Sequence, residues 1–486
     1  MSAQRATRFS PPESADGEIV RATGLAERFD AVRAEQDVPK RFSDAVLAEA
    51  EAVAADPRHL PETDLTDLPF LTIDPPGAMD LDQAMLLERD GTGFRVRYAI
   101  AYLPAFVAPG GAIDTESWER GQTIYAPDQR TPLHPPQVSE GPASLLPGQP
   151  TPAYVWDLRL DAEGEVVDIA LAPAMVRSQD RLDYAQVQRA IDEATADERL
   201  TLLREIGEAR IRLELARGGA TLPMPEQEVI VREDGHYELR LRPLLAAEDW
   251  NAQISLMTGM AAAELMLHAR VGVLRTMPEP EEEVLRRLRR VVRGLDVDWP
   301  AEQTYGDFLR GLDREDPVHL AIIHEATGLF RGAGYTAFDG ELPELVEQSA
   351  IAAPYAHVTA PLRRLVDRYG LALCAAVSAG EEIPAWVREA LPRLAEAMSA
   401  SDRRAGAVER GCTEAVECAA LADEVGSEHD AVVVDVPEGG RGRLEVALTD
   451  KPVIARAEGS GELGQRVRVR VERADVAAGE LELRVL

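Results

Sequence analysis

The sequence has little that would tie it to a disulfide framework, a zinc site or a membrane. Three cysteines occur in 486 residues. Cys374, Cys412 and Cys418 form no CxxC pair and no zinc-ligand spacing, and in alanine-rich surroundings they read as small core residues. No run of roughly 18 apolar residues appears, so no membrane span is expected. The opening MSAQRATRFSPPESADGEIV lacks an apolar signal region, which predicts a cytoplasmic protein. Basic residues are also scarce, with 52 Lys and Arg against 85 Asp and Glu, a net charge of −33. Taken alone, that weighs against a polyanionic partner. The deficit is uneven, however: residues 431–486 carry a net −1 and everything before them a net −32. A local basic groove can still grip RNA, because the contacts that matter lie within about 10 Å. Several enzyme signatures are missing as well. There is no GxSxG elbow. His319 and His324 flank no HExxH motif. Gly459–Gly464 spells GxGxxG, but an alternating strand pattern follows it where a nucleotide site needs a helix, so no nucleotide cofactor is expected.

What is present is ordinary globular composition, 45% hydrophobic and 28% charged. Residues 1–60 read as a small, mainly helical region. Phe42–Ala55 is rich in helix formers, Ser43 is a candidate cap and Asp56-Pro57 a stop. From Phe70 to about Asp168, apolar runs and alternations separated by Gly and Pro turns predict strands. From Asp183 to Ala422 the pattern is helical. Within it, LRRLRRVVRG (Leu285–Gly294) reads either as a phosphate-binding stripe or as a solvated face balancing Glu279–Glu283. The last 55 or so residues return to strands. In Arg466–Val471 three arginines and three valines alternate, so each set lines one face. That pattern suits a small OB-type barrel, with the arginines as phosphate contacts.

The stretch that carries chemistry is FLTIDPPGAMDLDQA, Phe70–Ala84. An apolar run delivers Asp74, a Pro-Pro-Gly turn follows, and Asp80 and Asp82 then alternate so that both point the same way. Three carboxylates hemmed by Leu71, Ile73, Met79 and Leu81 repel one another in a dry setting, and a divalent cation relieves that repulsion. Oxygen donors select a hard ion, Mg2+ or Mn2+. An EF-hand is excluded, since no glycine stands at loop position six. A second stretch, YAHVTAPLRRLVDRY (Tyr355–Tyr369), places Arg363 and Arg364 at the start of a helix with the Thr359 hydroxyl nearby. Such groups hold phosphate oxygens, although an arginine of this pair could equally bridge to Asp367.

Together these stretches resemble the catalytic RNB domain of the ribonuclease II family. The resemblance covers roughly residues 60–425. TIDPPGAMDLDQA resembles its Asp-rich signature, VRYAIAYLPAFVAPGGAIDTESWERGQTIYAPDQRTPLHPPQVSEGPASLLPG its central block, and HVTAPLRRLVDRY its arginine motif. The tail resembles the OB-fold module that ends such chains. The implied fold is an α+β multidomain chain: residues 1–60 a small helical region of helix-turn-helix or winged-helix size, 61–425 an RNB domain of mixed sheet plus helices, and 426–486 an OB-fold. The implied activity is processive 3′→5′ hydrolysis of single-stranded RNA to nucleoside 5′-monophosphates by a two-metal mechanism, in a monomer. Asp74, Asp80 and Asp82 would hold magnesium. Tyr125 would stack on the 3′-terminal base, Arg363 would contact the scissile phosphate, and Glu409 would complete the base clamp. Three departures from the family pattern stand out. Gln83 replaces a fourth Asp, offering a carbonyl oxygen without charge. Tyr102 stands where Asp is usual. About 60 residues precede the domain where relatives often carry two cold-shock-type barrels. Gln83 and the negative charge keep open a catalytically weak or inactive RNA binder, and the metal site alone leaves an endoribonuclease open.

Overall fold

The computed structural model describes residues 7–10, 18–20, 24–220, 222, 226–231, 236–242, 244–313, 316–436 and 444–486. Its centre is a six-stranded sheet in the order Ser178–Leu182, Phe70–Ile73, Gln83–Asp90, Gly93–Ala101, Thr151–Leu160, Val166–Val176. Ser178–Leu182 runs parallel to Phe70–Ile73, and the other neighbours are antiparallel. The strands form where the apolar alternation predicts them. The face carrying Met85, Tyr98 and Trp156 packs against the helices Ala246–Ala269 and Leu365–Ala379, and the opposite face buries Phe70, Leu86 and Val155 in a second cluster. Period-two alternation decides which side chain meets which cluster.

The N-terminal region is not wholly helical, and it is not a module standing apart. The helix Asp44–Ala55 forms as the cap and stop signals indicate, with the Ser43 hydroxyl accepting from the Val46 N–H. A second helix, Leu25–Glu35, packs on the long helix Ala385–Ala420. The strands Thr7–Ser10 and Glu18–Val20 flank the distant pair Glu226–Val231 and Tyr237–Arg242 in a four-stranded sheet. Pairing of this kind depends on a partner more than 200 residues away, so local periodicity did not expose it.

At the other end, Glu428–Asp435, Leu444–Leu448, Ile454–Glu458, Glu480–Val485 and Arg466–Asp475 close into a five-stranded barrel. It is tied to the body by the His324 Nε2–Glu445 Oε2 pair at 3.1 Å and by the Ile454 N–H donating to Glu417 Oε1 at 3.0 Å. The expected alternation holds, with Val469 and Val471 inside and the arginines outside. Those arginines are not a bare cationic face, however. Arg468 and Arg470 pair across the strands with Glu428, and Arg468 also reaches Asp430. The Arg-rich helix Glu282–Gly294 likewise spends its charge on ion pairs, from Arg286 and Arg290 to Glu282 and Glu283 and from Arg287 to Glu325. Its solvated-face reading is the one that fits. Among the described residues no helix is long and apolar enough to cross a membrane.

Gly259, in the helix Ala246–Ala269, sets how closely the Tyr355–Tyr369 segment approaches the core. The Ala356 N–H donates to the Gly259 carbonyl at 3.0 Å. A Cβ on Gly259 would run into the Tyr355 ring and stand 2.7 Å from the Ala356 carbonyl oxygen. Alanine gains about 1 kcal/mol in helix propensity over glycine, but forced overpacking costs about 1–3 kcal/mol, and here the obstacle is partly backbone. Gly259→Ala is therefore expected to lower the melting temperature by several degrees in thermal denaturation. A variant as stable as the parent would show that the segment yields freely.

Candidate active site

The last residues of the strand Phe70–Ile73 lead directly into Asp74, whose N–H donates to the Leu182 carbonyl at 3.0 Å. The turn that follows is fastened by one side chain. The Ser144 hydroxyl donates to the Met79 carbonyl at 2.7 Å and accepts from the Leu81 N–H at 2.9 Å. Asp82 comes next, 3% exposed, just before the strand Gln83–Asp90. Its Oδ1 accepts from the Leu362 N–H at 2.7 Å, and its Oδ2 lies 3.3 Å from Arg363 Nε. The acidic stretch and the arginine motif, 280 residues apart, therefore meet at one carboxylate.

Tyr125 reaches the same place by backbone pairing. The Thr123 N–H donates to the Arg363 carbonyl and the Leu365 N–H to the Gly121 carbonyl, both at 2.9 Å. The pair Ile124–Tyr125 and Arg130–Thr131 is a minimal hairpin with Tyr125 opposite Arg130. The Tyr125 ring is 42% exposed, and the charges of Arg363, Asp80, Asp82 and Arg130 all act on its hydroxyl. An open aromatic face beside paired guanidiniums suits stacking on a nucleobase.

Burial shapes the charge of the acids. It pushes Asp82 up to about 8, against the opposing pull of Arg363 and the Leu362 N–H, and Asp80 and Asp367 add to the rise. Burial also pushes Asp74 up to about 6; Arg363 opposes the shift and the Asp80 charge adds to it. Asp74 Oδ2 is buried and has no hydrogen-bond partner. Hard oxygen donors, one of them orphaned, are in kind what a divalent cation takes. In this structure the trio does not close into a cage. Among the described residues no three His, Cys, Asp or Glu side chains stand together as a set that could hold a metal. Positive charge is supplied instead by arginines: Arg363 at Asp82, and Arg130, which donates from Nη1 to Asp80 Oδ1. In kind, the oxygen donors of Asp74, Asp80 and Asp82 suit a hard divalent ion.

Several expected roles change. Gln83 is not positioned as a fourth ligand. Its Oε1 accepts from the Tyr98 hydroxyl at 2.7 Å and its Nε2 donates to the Thr359 carbonyl at 2.6 Å, while Tyr98 continues to Ser255 Oγ at 2.8 Å. As the first residue of its strand it shares the face of Met85 and Tyr98, the alternate to that of Asp82. Thr359 is buried, and its carbonyl carries this contact. Arg364 turns away from the acids and forks onto Asp367, Nε and Nη2 both at 2.9 Å. The bridging alternative thus holds for Arg364 but not for Arg363. Tyr102 packs edge-on against Tyr154 with ring centroids 4.7 Å apart, a structural position. Glu409 lies on Ala385–Ala420 and lines a cleft of about 320 Å3 facing barrel residues such as Arg456 and Leu481. Sequence reasoning missed Ser144 and Arg130. Only the five-residue step from Tyr125 to Arg130 around a tight turn hints at the latter.

With this geometry in view, comparison with known proteins decides the family. The RNB domain model matches residues 62–377, and the model of the RNase II-type exonuclease C-terminal S1 domain matches residues 427–486. The chain belongs to the RNB family. Among RNB relatives, it is 23% identical over 510 residues to "Ribonuclease R 1" of Lactococcus lactis, covering 94% of this chain and 60% of that protein. It is 30% identical over 340 residues to "Inactive exonuclease DIS3L2" of Arabidopsis thaliana, covering 63% of this chain and 32% of that protein. The chain therefore spans less than two thirds of the length of either relative. The apo form of Mycoplasma genitalium RNase R has a similar fold, with a TM-score of 0.84 at 17% identity over 96% of this chain and 78% of that one; the same protein has been solved with ribose-methylated single-stranded RNA. The RNB fold, with its mixed sheet, helices and terminal barrel, is the one expected.

The raised acids make a signed prediction. With Asp82 pushed up to about 8 in the folded chain and near 3.9 unfolded, the native state holds a proton that the unfolded state has released. Without metal, stability falls as pH rises from about 4 to about 8. Asp82→Asn keeps the acceptor for Leu362 and removes this titration. In EDTA its stability relative to the parent is expected to improve by about 1–2 kcal/mol between pH 6 and pH 8.5. Parallel denaturation curves for the two proteins over that range would contradict it.

Proposed function

We propose that this chain is a metal-dependent exoribonuclease that degrades single-stranded RNA from its 3′ end, processively, to nucleoside 5′-monophosphates. The observation that carries the reading is the meeting of Asp82, Leu362 and Arg363 directly beside the exposed Tyr125 ring. A phosphodiester lying beside Tyr125 meets the Arg363 guanidinium, which is itself backed by the buried Asp82 carboxyl. Tyr125 stacks on the terminal base and, because every base has a π-face, does so without sequence preference. Arg363 is half-exposed, so it can turn to the non-bridging oxygens and neutralise charge as it builds on them. Leu362 holds Asp82 in place by a backbone N–H to Oδ1, which leaves Oδ2 facing Arg363. Magnesium or manganese bound by Asp74, Asp80 and Asp82, two ions in the full mechanism, would activate water and stabilise the leaving 3′-oxygen. The likeness to ribonuclease R supports the class of substrate, and the M. genitalium complex with ribose-methylated single-stranded RNA supports a single strand as the form engaged. A monomer working in the cytoplasm is part of the same proposal.

A second reading, an RNB chain that binds RNA with weak or no hydrolysis, is favoured by specific features. Gln83 offers no charge, Arg130 occupies Asp80, and one relative is itself named inactive. An endoribonuclease is the third alternative. One assay separates the three. With 5′-labelled single-stranded RNA and Mg2+, the proposed activity gives a descending ladder ending in a short core, with mononucleotides released. Asp82→Asn abolishes that ladder while binding persists. Intact RNA from the parent chain would establish the binder, and early internal fragments the endonuclease. Tyr125→Ala should weaken capture of the 3′ end by about 1–3 kcal/mol, read as a rise in KM and a changed length of the final core. An unchanged KM and core length would remove Tyr125 from the site.

A further inference from the structure

The acidic centre already contains a cation of its own. Arg130 sits on the two-residue strand opposite Tyr125. Its guanidinium forks, with Nη1 on Asp80 Oδ1 and Nη2 on Glu140 Oε1 at 2.5 Å. Asp80 is largely enclosed, its side chain 10% exposed, whereas those of Arg130 and Glu140 are 29% and 27% exposed. The tip of Arg130 thus stands at the mouth, between an inner acid and an outer one. Asp74, Asp80, Asp82 and Glu140 carry four negative charges when ionised, and Arg130 and Arg363 offset two. A guanidinium bound to a carboxylate fills the lone pairs a hard ion would use, and it repels that ion at close range.

We propose that Arg130 is a placeholder for the divalent cation. It holds Asp80 in the metal-free chain and moves outward onto Glu140 when a metal ion takes Asp80. The fork gives it somewhere to stay: the outer acid is already in contact, so Arg130 can let go of Asp80 and keep Glu140 without stranding its charge. Because Arg130 pairs with Tyr125 in the hairpin, the same move frees a positive group at the edge of the base-stacking surface. Arg130 is therefore a positioning residue that sets how much metal the site requires. This inference rests on the metal-dependent reading above.

The test is a Mn2+ titration of the full chain without RNA, followed by electron paramagnetic resonance of free Mn2+, on the parent, Arg130→Gln and Glu140→Gln, each with a melting curve. Arg130→Gln is expected to bind Mn2+ about tenfold more tightly, even though loss of the bridge lowers its melting temperature. Glu140→Gln is expected to bind several-fold more weakly, because Arg130 is then left on Asp80. A merely structural arginine would move stability and affinity in the same direction, so unchanged or weaker binding in Arg130→Gln overturns the proposal. If that variant does not fold, Glu140→Gln decides: unchanged or tighter binding overturns it. A parent chain that takes up no Mn2+ at millimolar concentrations, with no difference from Asp82→Asn, overturns the metal-dependent reading itself and this inference with it.

Discussion

The arrangement depends on one hydrogen-bonded carboxylate. Asp82 accepts from the Leu362 N–H and faces Arg363, joining the start of a central strand to a segment from the far end of the catalytic domain. Burying a carboxylate is expensive even with partners; Asp82 has both an ion-pair and a hydrogen-bond partner, and burial still pushes it up to about 8. Around that joint the second segment is held from the other side by Gly121 and Thr123 pairing with Leu365 and Arg363, and Tyr125 follows two residues later. Three parts of the chain are thereby brought to one point.

Electrostatics at that point is settled locally and not by the net charge of −33. Asp82 has a guanidinium and a backbone donor within reach, and Asp80 has the Arg130 guanidinium. Of the motif's pair only Arg363 faces Asp82; Arg364 is committed to Asp367, which also accepts from the Ala360 N–H at 2.6 Å. This division makes the motif asymmetric: one arginine braces the helix start, and the other pairs with Asp82 at a half-exposed position.

Local pattern made the acidic stretch, the arginine motif, the strand-rich and helix-rich regions and the terminal barrel readable. Apolar alternation and turn residues are written in neighbouring positions. What stayed hidden depends on distant partners. The direction of Gln83 follows from the face on which Tyr98 and Ser255 wait. The commitment of Arg364 follows from where Asp367 falls on the first helical turn. The N-terminal strands needed the 226–242 pair, and the barrel arginines needed Glu428 and Asp430 on the adjoining strand. In each case sequence showed which functional groups were available, and register decided which partner took them.

The ion-paired face of the barrel has a consequence for how the chain meets nucleic acid. Affinity for a polyanion usually comes from cations that displace the counterion atmosphere, roughly one ion released per phosphate neutralised. Arg468 and Arg470 already have carboxylates as counterions, so a strand crossing them releases little and gains little entropy. Such a surface offers a polyanion less free positive charge than its arginine count suggests. On the proposed function, grip would then fall to the site around Tyr125 and Arg363, at the strand's terminus.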